Sequence, residues 1–260
     1  MKIFTLFILT LLFVANTNGQ ETPEKWQRIF KRKNAKGTFV LYNLNTKDIK
    51  YYNRVRADSS YLPASTFKVL NSLIALESKV IKDENEIIKW DGIDKGWSKW
   101  NKDQNMKSAI ALSCVWFYQE LARKIGQARM QNWITKVKYG NRQMGGKIDN
   151  FWLRGNLRIS ANEQVRFLEQ FVTGSLPFKR KNIETVKRIM ITDSTDTYII
   201  HSKTGWSKQG NKQIGWFIGY VEKENNKWIF AMNIDIVNKS DLKLRKEITY
   251  DILKCEKIIN

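Results

Sequence analysis

The chain has 260 residues, of which 42% are hydrophobic and 27% charged, and a formal charge of +20. That balance excludes a disordered tail, a collagen-like repeat and a polytopic membrane protein, and fits a globular chain with a sizeable core. A single histidine, His201, and only two cysteines, Cys114 and Cys255, exclude a histidine-rich metal site, a zinc ribbon and a dense disulfide framework.

Met1-Lys2 is a minimal basic start, followed by the apolar run Ile3 to Ala15 and the polar stretch Asn16 to Gln20. The run is too short for a comfortable membrane span and reads as a secretory signal peptide over residues 1–19, cleaved near Gly19. The mature chain, 20–260, is then expected to be secreted, into the periplasm if the source is Gram-negative. No later segment is long and apolar enough to span a bilayer. Cys114 lies in an apolar stretch where a buried free thiol is the expected state, so no Cys114–Cys255 bridge is expected.

Pro23-Glu24 to about Lys33 predicts a helix with Trp26, Ile29 and Phe30 on one side. Thr38 to Tyr42 reads as a strand, Asn43 to Asp48 as a turn, and Ile49 to Asn53 as the returning strand. The middle reads as helices over Ser65–Glu77, Met106–Ile125, Gln127–Val137 and Ser160–Phe171, the last opened by a Ser160/Glu163 capping box. Strands return at Tyr198–Lys203, Gln213–Val221 and Trp228–Val237, and Ser240-Asp241 starts a terminal helix through Leu244, Ile248 and Ile252. The fold class expected is therefore α/β (α+β). One antiparallel sheet is built from both ends of the chain, flanked by the terminal helices, with a helical lobe inserted over roughly 65–180. A cleft between the two lobes is the natural site.

The excess of Lys and Arg invites a nucleic-acid reading, but the charges are scattered and the densest run, Lys31 to Lys36, is short. No base-reading signature accompanies it, so a lysine-rich soluble surface is the preferred account.

Three short motifs carry chemistry. Ser65-Thr66-Phe67-Lys68 sets a hydroxyl and an amine nearly one helical turn apart, so a Lys68 with a lowered pKa can take the Ser65 proton. Ser113-Cys114-Val115 follows in an apolar helix, and Lys203-Thr204-Gly205 ends a strand where it can hold a carboxylate. Taken singly, each is as well explained by a capping Ser, a core hydroxyl or a charged strand end. His201 is read as structural, since nothing pairs it with a nucleophile.

In this order and spacing the three resemble the S-x-x-K and K-T-G motifs of serine β-lactamases and penicillin-binding proteins. With Tyr139-Gly140-Asn141, Phe151-Trp152-Leu153 and Leu244-Arg245-Lys246, the chain resembles the class D (OXA-type) serine β-lactamases over nearly its whole mature length. Class A does not fit, because Ser-Cys-Val stands where Ser-Asp-Asn is needed and no Glu-x-x-Leu-Asn segment is present.

The resemblance implies a single hydrolytic domain over 20–260 that opens β-lactam antibiotics through an acyl-enzyme on Ser65. It implies that Lys68 is carbamylated by CO2 and serves as general base in both acylation and deacylation, within walls formed by Phe67, Val115 and Trp152. Ser113 would relay a proton to the leaving nitrogen with Lys203 in support. Lys203, Thr204, Gly205 and Arg245 would bind the substrate, and the backbone N–H groups of Ser65 and Trp206 would form the oxyanion hole. No cofactor beyond CO2 or bicarbonate, no metal, no nucleic acid and no membrane span are implied; the partners are small-molecule β-lactams. Trp116 stands where many class D sequences have Pro, and Trp206 is a large side chain at the substrate's edge. The competing readings are a β-lactam sensor or transpeptidase that acylates without turnover, and a basic exported binding protein.

Overall fold

The computed structural model describes residues 23–260. The signal peptide expected over 1–19 lies outside the described residues.

Helix α1 (Glu24–Arg32) leads into β1 (Gly37–Asn43) and β2 (Ile49–Tyr52), which pair through a tight turn. After the short α2 (Arg54–Ala57), a 3-10 turn at Ala64–Phe67 runs into α3 (Lys68–Glu77). The lobe continues with α4 (Met106–Ala111), α5 (Val115–Ile125), α6 (Gln127–Lys136), α7 (Phe151–Arg154), α8 (Ala161–Thr173) and α9 (Arg180–Ile189). The chain then returns through β3 (Ile191–Ser194), β4 (Ile199–Gln209), β5 (Lys212–Lys223) and β6 (Asn226–Asp235) to α10 (Leu244–Cys255).

The sheet order is β2-β1-β6-β5-β4-β3, with every neighbour antiparallel. Both faces are covered, so the strands alternate between two apolar layers rather than between core and water. Phe39, Phe217, Phe230 and Met232 pack with Trp26 and Phe30 of α1 and Ile248 and Ile252 of α10. Val40, Trp216, Ile218 and Ile229 pack on the other side against the helical lobe. The terminal helices are fastened together by a Trp26 Nε1 hydrogen bond to Glu256 Oε1 at 2.9 Å. The α/β architecture with terminal helices on the sheet and an inserted lobe is thus as the sequence predicts, and the Ser160/Glu163 capping box is present.

Four local expectations are corrected. Met106–Ile125 is not one helix: it breaks at Leu112–Cys114, where Ser113 takes the left-handed conformation with φ 55°. Ser65 sits in a 3-10 turn, and the α-helix begins only at Lys68. Lys203-Thr204-Gly205 lies in mid-strand, because β4 continues to Gln209 in full register with β5. The inserted lobe runs to Ile189, since α9 also belongs to it. Cys114 and Cys255 are both free, the former buried. No helix among the described residues is long and apolar enough to cross a membrane.

Candidate active site

The site forms where the Ser65 turn meets β4. At Gly205 a side chain would be crowded: a Cβ would lie 3.0 Å from the Pro63 carbonyl oxygen and 3.1 Å from Thr66 Cγ2, so its neighbours would have to give by a few tenths of an ångström. This close approach sets the Gly205–Trp206 peptide alongside the Ser65 turn. The turn itself is tied down from several sides. Thr66 Oγ1 donates to the Pro63 carbonyl at 2.7 Å, Gln164 Nε2 of α8 donates to Thr66 Oγ1 at 2.9 Å, and Trp216 Nε1 of β5 donates to the Leu62 carbonyl at 3.0 Å. Ala64, immediately before Ser65, is held at φ 49°, a left-handed conformation that a non-glycine residue adopts only when its surroundings impose it.

Lys68 Nζ donates to Ser65 Oγ at 2.8 Å. Lys68 is fully buried. Burial pulls its pKa down to about 7, with the nearby Cys114 thiol acting weakly in the other direction. The Tyr118 ring, from α5, lies 5.3 Å from the amine. Tyr118 Oη in turn bonds Ser72 Oγ at 2.8 Å, and the Tyr118 carbonyl accepts from Asn71 Nδ2. Val115 is half-buried, one turn before Tyr118 and therefore on the same side of α5.

Phe67 is caged by aromatic rings. Its ring stacks on Trp152 at 5.8 Å and meets Phe151 and Tyr139 edge-on at 5.0 and 5.6 Å. Trp152 is fully buried, and its indole N–H has no hydrogen-bond partner among the described residues.

A second amine–hydroxyl pair faces the first. Lys203 Nζ donates to Ser113 Oγ at 3.1 Å and to the Thr204 carbonyl at 3.3 Å. Burial, then repulsion from Lys68, Arg245 and Lys246, holds the Lys203 pKa well below the usual lysine value. The break between α4 and α5 is what aims Ser113. Its local support is Trp100, whose Nε1 donates to the Leu112 carbonyl at 3.1 Å, and Trp116, whose Nε1 donates to the Trp100 carbonyl at 2.8 Å. The indole of Trp116 is thus engaged with the segment before α4.

Arg245 reaches the site from α10 through a slot opened by Gly215, where a Cβ would lie 2.7 Å from Arg245 Cδ. Its Nη1 donates to the Gly205 carbonyl at 2.6 Å and its Nε to the Leu242 carbonyl at 2.7 Å. Part of the planar fork is therefore spent on backbone, and the rest remains for an anion. Burial draws its pKa down to about 10. Trp206 is 43% exposed, with Nε1 donating to Gln213 Oε1 at 3.0 Å, so its side chain walls the opening.

His201 lies outside this constellation. Its Nδ1–H donates to the Lys187 carbonyl at 2.8 Å and its ring stacks on Tyr220 at 4.3 Å, which is a packing role. Among the described residues no group of three or more His, Cys, Asp or Glu side chains could hold a metal. Two features escape the motif reading. Tyr118 is signalled only by its three-residue spacing from Val115. The cations Arg154, Arg158 and Lys208 line one cleft with Trp206 but are dispersed along the sequence.

The profile of the penicillin binding protein transpeptidase domain matches residues 17–254 of the chain. The chain is 41% identical over 257 residues to beta-lactamase OXA-5 of Pseudomonas aeruginosa, covering 96% of each. It is 43% identical over 236 residues to beta-lactamase OXA-48 of Klebsiella pneumoniae, covering 91% of this chain and 89% of the relative. Among solved structures it is similar to FUS-1 (OXA-85), a class D beta-lactamase from Fusobacterium nucleatum subsp. polymorphum. The TM-score is 0.90 at 41% identity, over 92% of this chain and 100% of the other.

Proposed function

The chain belongs to the class D serine β-lactamases, hydrolases of β-lactams within the penicillin-binding-protein transpeptidase family, and from that premise we propose that Ser65 is the nucleophile and Lys68, N-carboxylated by CO2, the general base. The observation that carries this reading is a fully buried amine with a pKa of about 7, bonded to Ser65 Oγ, next in sequence to Phe67, on which Trp152 stacks with an indole N–H that has no partner among the described residues. A neutral buried amine is the form that adds CO2, and the Trp152 N–H is a donor ready for one of the resulting oxygens. Phe67 and Val115 supply apolar surroundings that disfavour a free ammonium.

Once carboxylated, Lys68 supplies a base at hydrogen-bond reach of Ser65. Ser65 gives up its proton as Oγ bonds to the lactam carbonyl carbon, with the backbone N–H groups of Ser65 and Trp206 facing the oxyanion. The ring C–N bond then breaks, and Ser113 passes a proton to the departing nitrogen, with the buried Lys203 amine at 3.1 Å replenishing it. Lys203, Thr204 and the free part of the Arg245 fork hold the substrate carboxylate. The proton taken from Ser65 passes from the base to Lys203, making good the one delivered through Ser113 to the nitrogen, so the base is free again. In the second half water attacks the ester, its proton goes to that base, and the base returns it to Ser65 Oγ as it leaves. The catalytic unit is residues 20–260 after removal of the 1–19 leader, and we place its work outside the cytoplasm.

The test is hydrolysis of a penicillin and a chromogenic cephalosporin, with and without bicarbonate, alongside intact-mass measurement of Ser65. Turnover that rises with bicarbonate is expected. An acyl-Ser65 adduct lasting hours would make the protein a sensor or transpeptidase instead. Turnover indifferent to bicarbonate, even after acid treatment, would remove the Lys68 chemistry.

A further inference from the structure

Resting on that reading of the site, we propose that the cleft between α7 and the β4–β5 hairpin receives the acylamino side chain of the substrate and favours one that carries a carboxylate.

The position of the cleft argues for the first half. It has a volume of about 630 Å³ and lies between Leu62, the α7 segment with Leu153, and the β4 residues from Trp206 to Gly210. On β4 its lining therefore starts at Trp206, the residue after Gly205, and runs along the strand to Gly210, away from Lys203, while Leu62 lies three residues before Ser65. In a penicillin or cephalosporin the carboxylate sits on the fused ring, and the acylamino group at the opposite end, on the lactam. With the lactam carbonyl at Ser65 and the carboxylate toward Lys203, Thr204 and Arg245, the acylamino group points into this cleft.

The charge of the cleft argues for the second half. Arg154, Arg158 and Lys208 line it, and no Asp or Glu does. Elsewhere the chain pairs comparable cations: Arg56 with Asp235 at 2.8 Å, Arg123 with Asp149 at 2.7 Å. Arg154 and Lys208 are exposed and have no such partner among the described residues. Arg158 is half-buried, its Nη1 donating only to the Gly155 and Leu157 carbonyls at 2.8 and 2.9 Å, and burial draws its pKa below the usual arginine value. Lysines scattered over a +20 surface are ordinary. Three cations converging on a concavity with no acid, at the mouth of a catalytic site, form a field that an anionic substituent entering the cleft would neutralise.

Benzylpenicillin, carbenicillin and ampicillin differ at one carbon, which bears hydrogen, a carboxylate or an ammonium, and so serve as a matched set. The quantity to measure is the ratio of kcat/KM for carbenicillin to that for ampicillin, which cancels any loss of folded enzyme. The ratio is expected to fall at least about tenfold in the Arg154→Glu, Lys208→Glu double variant, and by about threefold or more in the native protein between 0.05 and 0.5 M NaCl. A ratio that stays within about twofold under both changes overturns the proposal. Should none of the three be turned over, the rate of Ser65 acylation read by intact mass gives the same ratio, so a failed hydrolase and a failed selectivity are told apart. If none acylates Ser65, the underlying reading falls and the proposal with it.

Discussion

Lys68 Nζ and Ser65 Oγ are joined by a 2.8 Å hydrogen bond in which the amine is the donor, although Lys68 is fully buried and has no carboxylate partner among the described residues. A charged ammonium in that place would pay a large desolvation cost, and burial accordingly lowers its pKa to about 7. The neutral amine combines with CO2 and the ammonium does not. With the pKa lowered, the reactive form dominates above about pH 7 and is lost below it. In bicarbonate-free buffer kcat is expected to fall about tenfold per pH unit on the acid side of that value. Added bicarbonate should move the acid limb to lower pH. A pH–rate profile from 5 to 9 with and without bicarbonate checks this; coincident limbs would remove carboxylation from the mechanism.

Trp152→Phe keeps an aromatic ring against Phe67 but removes the indole N–H, which has no partner among the described residues, together with part of a fully buried ring. If that N–H is held in reserve for an anionic oxygen on Lys68, its loss removes one hydrogen bond to a charged group, worth about 1.5–3 kcal/mol. The expected result is a fall in kcat of about ten- to a hundredfold at ambient CO2, partly restored at high bicarbonate. Denaturant stability should also fall, by about 1–2 kcal/mol, because part of a fully buried ring is lost, so the bicarbonate dependence is the readout that decides. A merely structural tryptophan would give the same stability loss with no bicarbonate effect.

What the sequence discloses and what it conceals divides along physical lines. The sheet and its covering helices follow from apolar periodicity, which is local, and the S-x-x-K pair is legible because three residues of helical turn fix its geometry. The break at Ser113 is not legible. Ala109 to Phe117 has the composition of a continuous buried helix, and nothing in it marks a left-handed residue that Asn or Gly would have announced. The continuation of β4 past Lys203 is hidden because Lys208 and Gln209 are polar, although their pairing with Gln213 and Lys212 is regular. The cationic cleft is assembled from α7, the segment after it and the β4–β5 hairpin, a juxtaposition that only the tertiary fold creates.

Gly205→Ala tests the contact between β4 and the nucleophile turn. The added Cβ would meet Pro63 O at 3.0 Å, Thr66 Cγ2 at 3.1 Å and Trp216 Cβ at 3.2 Å, so the strand must shift by a few tenths of an ångström. Overpacking of this kind costs about 1–3 kcal/mol. The same displacement moves the Trp206 N–H relative to Ser65, and misplacement at a reacting centre is costly in rate, here about ten- to a hundredfold in kcat/KM. Denaturant titration and steady-state kinetics measure the two effects separately. Unchanged kinetics in a destabilised variant would mean that the strand's approach serves packing alone.

Ser113 allows backbone strain and chemistry to be separated. Its φ of 55° is a conformation that costs an L-residue with a Cβ about 1–2 kcal/mol, and it aims the hydroxyl at Lys203 Nζ, 3.1 Å away. Ser113→Ala and Ser113→Gly both delete that hydroxyl, so both are expected to lose the general-acid contribution to leaving-group departure, about a hundredfold or more in kcat. Both also leave Lys203 with the Thr204 carbonyl as its remaining acceptor. They differ in the strain. Glycine adopts φ 55° freely, but its more flexible unfolded state takes back about 0.4–1 kcal/mol of that relief. The glycine variant should therefore be more stable than the alanine variant by about 0.5–1 kcal/mol while being no more active. Chemical denaturation of the pair, set against their single-turnover acylation rates, decides the matter. Equal stabilities would mean that the backbone at Ser113 is unstrained, and a glycine variant that retained wild-type acylation would show that the hydroxyl carries no proton.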